Sequence, residues 1–346
     1  MCPASEAPTM PRTGKIDETF FREYVAERLG APRDDVRRGP KHGVDFGVFD
    51  AGDAAVAIAT DPVSILPSLG FERAGRFAVQ VPIADVAVSG LAPTHLAVSF
   101  SLPPEMTDEQ FAAVWEAFDA ECSALGVSVV TGHTARYEGC SFPWVGAVTV
   151  LAVGDPDDIV YPDSARPGDD LLVTKGPAVE STGLLTSLFP ERVALDAETL
   201  AVAQSRLDDT DAVRDALAAG EAGHVTAMHD ATEGGLLGAF HEMAHAAGVR
   251  LRVDSDRVPV MPGVLDACEA LGMDPWRATT AGTLVLAVDP ADTDAVVSAL
   301  EARGTPVGVV GSVETGEGVV LDGEETAVPE GDSSWPVYER LLAADD

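Results

Sequence analysis

Three aspartates at the ends of apolar runs offer the clearest chemistry in this chain: Asp61 in AVAIATDPVSILP, Asp85 in VPIADVAVSG and Asp230 in VTAMHDATEGGLLGAF. Each follows a stretch that reads as a strand or a buried helix, and Asp61 and Asp230 are expected to lead directly into turns. Carboxylates delivered from separate elements can converge on a hard cation. Magnesium takes oxygen ligands and usually reaches a protein through a few carboxylates plus substrate phosphates. The pattern therefore points to Mg·ATP chemistry, although an aspartate at the end of an element is more often simply a cap.

Further groups fit the same chemistry. In GPKHGVDFGVFD (39–50), backbone N–H groups near Gly39 and Gly43 could cradle phosphate oxygens and Lys41 could neutralise one. Lysine is scarce, at Lys15, Lys41 and Lys175 only, and Lys175 sits in VTKGPAVESTGLL, a strand–glycine–helix junction suited to anions. VTGHTARYEG (130–139) places His133 and Thr134 after a β-run. There His133 is either a loop histidine bonded to backbone or a group facing nucleotide phosphate or a metal. HEMAH (241–245) matches the H-E-x-x-H pattern, which would set His241 and His245 on one helical face with Glu242 as a base. It lacks a convincing third ligand nearby, so zinc hydrolysis is the weakest reading.

The elements that must hold these groups alternate. An amphipathic helix is expected over 16–30, after a loose arm at 1–14. Strands VDFGVFD and AAVAIAT flank a turn at 51–53, and a helix over 74–89 contains Pro82, which would start or kink it. HLAVSFSLP reads as a strand. TDEQFAAVWEAFDAECSALG (107–126) is a helix capped by Thr107, with Phe111, Trp115 and Phe118 at helical spacing. VSVVTG and FPWVGAVTVLAVG follow as strands. The Pro-, Asp- and Gly-rich segment 155–170 marks a domain boundary. Beyond it come strand DLLVTK, helices across 180–219, strand HVTAMH, helix EGGLLGAFHEMAHAAG, strands VRLRVD and TLVLAV, helix ADTDAVVSALEARG and strand TPVGVVGSV. This is a two-domain α+β chain, long enough for a full core in each domain.

Composition excludes several function classes. The chain has 346 residues, 46% of them hydrophobic, and a net charge of −35 from 57 acidic against 22 basic residues. Such a surface repels phosphate backbones and anionic lipids, so neither nucleic acid nor membrane is an expected partner. No apolar run reaches the roughly 18–20 residues that span a bilayer, and the polar start carries no secretory signal. The expected compartment is the cytoplasm. Excess acid with almost no lysine fits a salt-accumulating halophile, where salt screens the self-repulsion. Cys2, Cys122, Cys140 and Cys268 show no C-x-x-C spacing and read as free, buried or half-buried thiols.

Over about residues 37–325 the chain resembles the AIR synthase (PurM-like) superfamily, on the hydrogenase-maturation HypE side. ATDPVSILP is similar to the superfamily's TD motif. GRFAVQVPIADVAVSGLAP resembles its N/S-D-V/L-A helix, with Ala84 where Asn or Ser is usual. VTGHTARY resembles the G-G/D-D/E/H-T loop, and MHDATEGGLLGAFHEMAHAAGVRL the D-x-T-x-G-G string with its helix. Thiamine-monophosphate kinase comes second, through Asp45. The resemblance implies a PurM-like fold. Its parts are an arm and helix over 1–36, an ATP-binding domain over 37–154 with a four-stranded sheet that forms a barrel on homodimerisation, a C-terminal α+β domain over 165–325, and a tail over 326–346. It also implies ATP and Mg²⁺ as cofactors, with Asp45, Asp61, Asp85 and Asp230 as metal or phosphate-proximal ligands. Lys41, Gly43, Gly132, His133, Thr134 and Lys175 would line the nucleotide, and Asp61, Asp85 and His133 would take catalytic roles. The implied reaction phosphorylates or activates an oxygen of a small molecule or carrier protein. Two departures stand out: there is no cysteine after Cys268 to match the HypE tail, and His133 stands where many members carry Asp or Glu. These favour, as the alternative, a nucleotide-binding scaffold without turnover.

Overall fold

The computed structural model describes residues 14, 16 and 18–343. The arm expected over 1–14, apart from Gly14, lies outside the described residues, as do Cys2 and the last three residues. The described residues up to Pro32 fall in one compact unit and those from Arg33 onward in another. In the first, the helix expected over 16–30 is much shorter. α1 (Glu18–Phe20) passes into a π-helical turn over Phe21–Val25, and none of these residues is buried. Without a buried face, little beyond propensity sustains so short a helix.

In the second unit, β1 (Val36–Arg38), β2 (Gly47–Ala51), β3 (Ala54–Ser64), β4 (Pro93–Leu102), β5 (Ser128–Arg136) and β6 (Trp144–Gly154) form one sheet in the order β1-β2-β3-β6-β4-β5. It has six strands where the resemblance implies four, because the β1–β2 ladder extends the β3 edge. α2 (Phe71–Ala87) and α3 (Asp108–Leu125) lie against it. On β3 the two-residue period buries Ala55, Ala57, Ala59 and Val63 and leaves Thr60 and Pro62 exposed.

Two boundaries differ from expectation for one reason. β6 pairs with β3 from Ala55 to Ser64, so Asp61, opposite Val148, lies within the strand and not at a turn. Likewise β4 offers partners up to Leu102, so His133 and Thr134 lie inside β5 and not in a loop. In both cases the ladder carries extended backbone past the end of the apolar run.

α3 begins as expected. Thr107 and Gln110 make a reciprocal capping box, and Gly126 closes the helix in the left-handed conformation. Phe111, Trp115 and Phe118 all pack on Phe100 of β4. Pro82 lies buried inside α2. Gly75 sets the α2–α3 crossing, since a Cβ there would stand 2.9 Å from the Val114 carbonyl oxygen.

The second half holds a seven-stranded sheet of β7 (Asp170–Thr174), β8 (Val225–Ala231), β9 (Arg250–Val253), β10 (Thr283–Val288), β11 (Val307–Glu314), β12 (Gly318–Leu321) and β13 (Glu324–Thr326). Its order is β13-β12-β9-β11-β7-β10-β8. The helices are α4 (Val179–Leu188), α5 (Ala197–Gln204), α6 (Val213–Ala222), α7 (Gly235–Ala247), α8 (Val264–Leu271), α9 (Thr293–Ala302) and α10 (Ser334–Ala343). β12, β13 and α8 were not expected. Nor was α10, which falls in the expected tail and buries Val337 and Leu341 beside Phe189, Val264 and Leu271. No helix among the described residues is long and apolar enough to cross a membrane.

The two halves share their largest core cluster, and the second half has two further clusters of its own. The largest cluster joins Val79, Ile83 and Val148 of the first half to Leu172, Met228 and Leu286 of the second. The 155–170 segment is therefore a crossing between halves that share an interior.

Candidate active site

β8 is an edge strand, yet all seven of its residues are buried. The 41–46 loop of the first half brings Asp45 to it. His229 on β8 is 1% exposed; its Nδ1 lies 2.6 Å from Asp45 Oδ2 and its Nε2 2.9 Å from Glu242 Oε2 on α7. An imidazole with a carboxylate at each nitrogen donates from both only as the imidazolium. Burial opposes that charge, but Asp45 and Glu242 outweigh it and hold the His229 pKa well above the ordinary value. Asp230, the next residue, is also buried. Asp45, His229 and Asp230 each offer a ligand atom within 4.8 Å of the others, and among the described residues this is the one such group of three. With His229 committed on both sides, the carboxylates of Asp45 and Asp230 are the members of the set that could serve a hard cation.

The loop reaches β8 because of its sequence. Gly43 has φ +72°, and a Cβ there would stand 3.2 Å from Glu242 Cβ, so glycine permits the close approach to α7. Lys41 Nζ donates to Asp163 Oδ2 at 2.9 Å and to the Ala246 carbonyl at 3.0 Å. That places its charge on the C-terminal turn of α7, where the helix dipole favours a cation. Arg38 donates to the same Asp163 oxygen at 2.7 Å. Lys41 and Gly43 thus fasten the loop.

The Lys175 ammonium is buried, 2.9 Å from Asp215 Oδ2 and 2.6 Å from the Asp211 carbonyl. At the junction behind it, Val179 N–H donates to Thr280 Oγ1 and Ser181 N–H to the Thr279 carbonyl, so threonines satisfy the start of α4. Asp61 and Asp85 are half-buried, on β3 and α2, and lie outside the compact group. Asp61 shares the strand face of Ala57, Ala59 and Val63. Gly132, His133 and Thr134 are exposed on edge strand β5, where His133 Nε2 lies 3.0 Å from the Tyr137 hydroxyl. The H-E-x-x-H residues do not gather: buried His241 meets Thr326 Oγ1 at 3.0 Å, Glu242 meets His229, and His245 is exposed. Burial pushes the Cys122 thiol up to about 11 and the Cys268 thiol to about 12, so neither is a ready nucleophile.

After Asp230 the chain turns, Gly235 N–H donating to the Thr232 carbonyl, and Gly234 N–H donates to Asp332 Oδ2 at 2.9 Å. Asp332 also accepts from Thr279 Oγ1 at 2.6 Å. Glu180 on α4 accepts from Ala281 N–H at 3.0 Å, and burial, with Asp332 and Glu233 adding to it, raises its carboxyl to about 7. Of the group's residues, His229 was missed. It left a trace only as a histidine adjoining Asp230 in MHDATEGG.

The AIR synthase related protein N-terminal domain family matches residues 43–154, and the corresponding C-terminal domain family matches residues 166–324. The chain belongs to the AIR synthase-related family. The carbamoyl dehydratase HypE of Rhizobium leguminosarum bv. viciae is 30% identical, over 78% of this chain and 77% of that one. The crystal structure of the Escherichia coli hydrogenase maturation protein HypE superposes with a TM-score of 0.70 at 26% identity, covering 82% of this chain and 88% of that one. A hydrogenase maturation protein HypE in complex with ATP superposes at 0.66 and 21% identity, over 94% and 97%. In this AIR synthase-related chain the carboxylate group bridges both family domains: Asp45 lies in the N-terminal match, and His229, Asp230 and Glu242 lie in the C-terminal one.

Proposed function

We propose that this chain is a HypE-like, ATP- and Mg²⁺-dependent enzyme that phosphorylates or activates an oxygen of an unassigned acceptor. The observation that carries the reading is the meeting of Asp45 and Asp230 across the two family domains, with His229 pinning Asp45 from behind. Both would hold magnesium, which supplies charge neutralisation to bound phosphates. His229 and Glu242 fix the first-half carboxylate, so little reorganisation is left for the moment of transfer, and such transfer depends mainly on position and charge. Asp61 and Asp85 lie outside that group, and only their motif resemblance supports including them in the nucleotide site. The relatives support this: several are carbamoyl dehydratases by name, and one solved neighbour holds ATP.

The reading includes a homodimer through the outer face of the first sheet, where Val153 is 43% exposed and Trp144 54%. It also includes a cytoplasmic, halophilic setting. A second reading, a nucleotide-binding scaffold without turnover, draws support from Lys41 and Lys175, both committed to ion pairs.

Calorimetry with Mg·ATP in molar KCl tests the site. Asp45→Asn and Asp230→Asn should each weaken binding more than tenfold, about 1.4 kcal/mol for one lost charge-assisted contact. Affinity like that of the unaltered chain in both variants would remove the cluster from the site. Phosphate release with a panel of amides and thiamine monophosphate separates the readings, since silence throughout favours the scaffold.

A further inference from the structure

A groove of about 710 Å³ opens between the first turns of α2 and α3 and the Ser205–Asp209 turn of the second half. Leu69, Phe71 and Ala113 give it an apolar wall, and Arg73 and Arg76 give it positive charge. A chamber of about 10 Å³ that shares Arg73, Arg76 and Asp208 with the groove is lined by Gln80. That residue is 4% exposed. Its Oε1 meets Thr210 Oγ1 at 3.4 Å, but its Nε2 has no hydrogen-bond partner. A buried amide donor left unpaired is costly and calls for an acceptor.

The arginines differ in their commitments. Arg73 donates to the Gln204 carbonyl at 3.2 Å and to Asp208 at 3.4 Å. Among the described residues Arg76 meets only Glu121, at 3.8 Å, beyond hydrogen-bond reach, while Glu121 accepts from Arg214 at 3.0 Å. The Arg76 guanidinium is therefore held beside the groove with its donors uncommitted. Gly70, the N-cap of α2, offers no side-chain acceptor to the first-turn N–H groups, and residues 70–73 line the groove. Exposed Glu72, Glu109 and Asp208 at the rim repel a polyanion, so a ligand with one negative charge is favoured.

We propose that this groove binds a small monocarboxylate with an apolar body, its carboxylate taken by Arg76 and Gln80 Nε2 and its body laid on Leu69 and Phe71. The groove shares no residue with the Asp45–Asp230 cluster and does not depend on the Mg·ATP reading.

Calorimetric titration of the full chain with benzoate, in molar KCl without magnesium, tests this. Saturable binding in roughly the millimolar range is expected of so small a probe. Arg76→Ala, an exposed change, should weaken it about tenfold, as for one charge-assisted contact. Gln80→Leu, of similar volume, should weaken it severalfold while leaving the thermal midpoint the same or higher. Asp230→Asn should leave benzoate affinity unchanged, which separates this site from the nucleotide site. No saturation by the unaltered chain, or unchanged affinity in both groove variants, overturns the proposal. Tighter binding of phenyl phosphate than of benzoate overturns the single-charge assignment, and unchanged affinity in Gln80→Leu alone shows that the chamber holds only water.

Discussion

Glu180 makes a pH-dependent contribution that can be read without any ligand. Its carboxyl is raised from 4.5 to about 7 in the folded chain, chiefly by burial. Between those values the folded state keeps a proton that the unfolded state has released. Stability from this group is therefore fully present below about pH 4.5 and declines as pH rises towards 7. Thermal midpoints measured from pH 4.5 to 7.5 in constant KCl should show this component, and Glu180→Gln should remove it. An identical slope in the variant would mean that Glu180 already ionises at the ordinary value. Legibility at this scale was uneven. Asp45 and Asp230 were visible as acids beside turns and strands. His229 was not, because its partners lie 184 residues upstream and 13 downstream, and no local pattern encodes that meeting. The lysines' partners were hidden for a related reason: Lys41 pairs with Asp163 and Lys175 with Asp215, each far away in sequence.

Periodicity located most helices and strands, but the ends of strands were set by partners. β3 runs past Asp61 and β5 past His133 because neighbouring strands keep bonding them. The short elements β12, β13 and α8 were hidden by their length, and α10 by a polar sequence whose apolar residues matter only against Phe189 and Leu271. Gly75 tests the element scale directly. Alanine there gains about 1 kcal/mol of helix propensity, but its Cβ would press on backbone atoms of Val114 at 2.9 and 3.0 Å, which cannot rotate away. The clash should win, with Gly75→Ala destabilising by roughly 1–2 kcal/mol in denaturant unfolding. A stabilised variant would show that α2 and α3 can separate without loss.

At the scale of the whole molecule, the fold class was legible in the alternation of elements and in the motifs, while the interior that joins the two halves was not. Charge dominates behaviour here. At −35, self-repulsion is screened within about 3 Å in molar salt but reaches about 30 Å at 10 mM. Dilution from molar to millimolar KCl should unfold the chain, followed by far-ultraviolet circular dichroism; an unchanged signal would contradict the halophilic reading. The interior that Leu172, Met228 and Leu286 share with Val79 and Ile83 bears on how such a chain can evolve. A graft that exchanged one half for that of a distant cousin would bring a seam of mismatched side chains through the middle of the protein. The two halves are thus bound to drift together, each substitution on one side answered on the other.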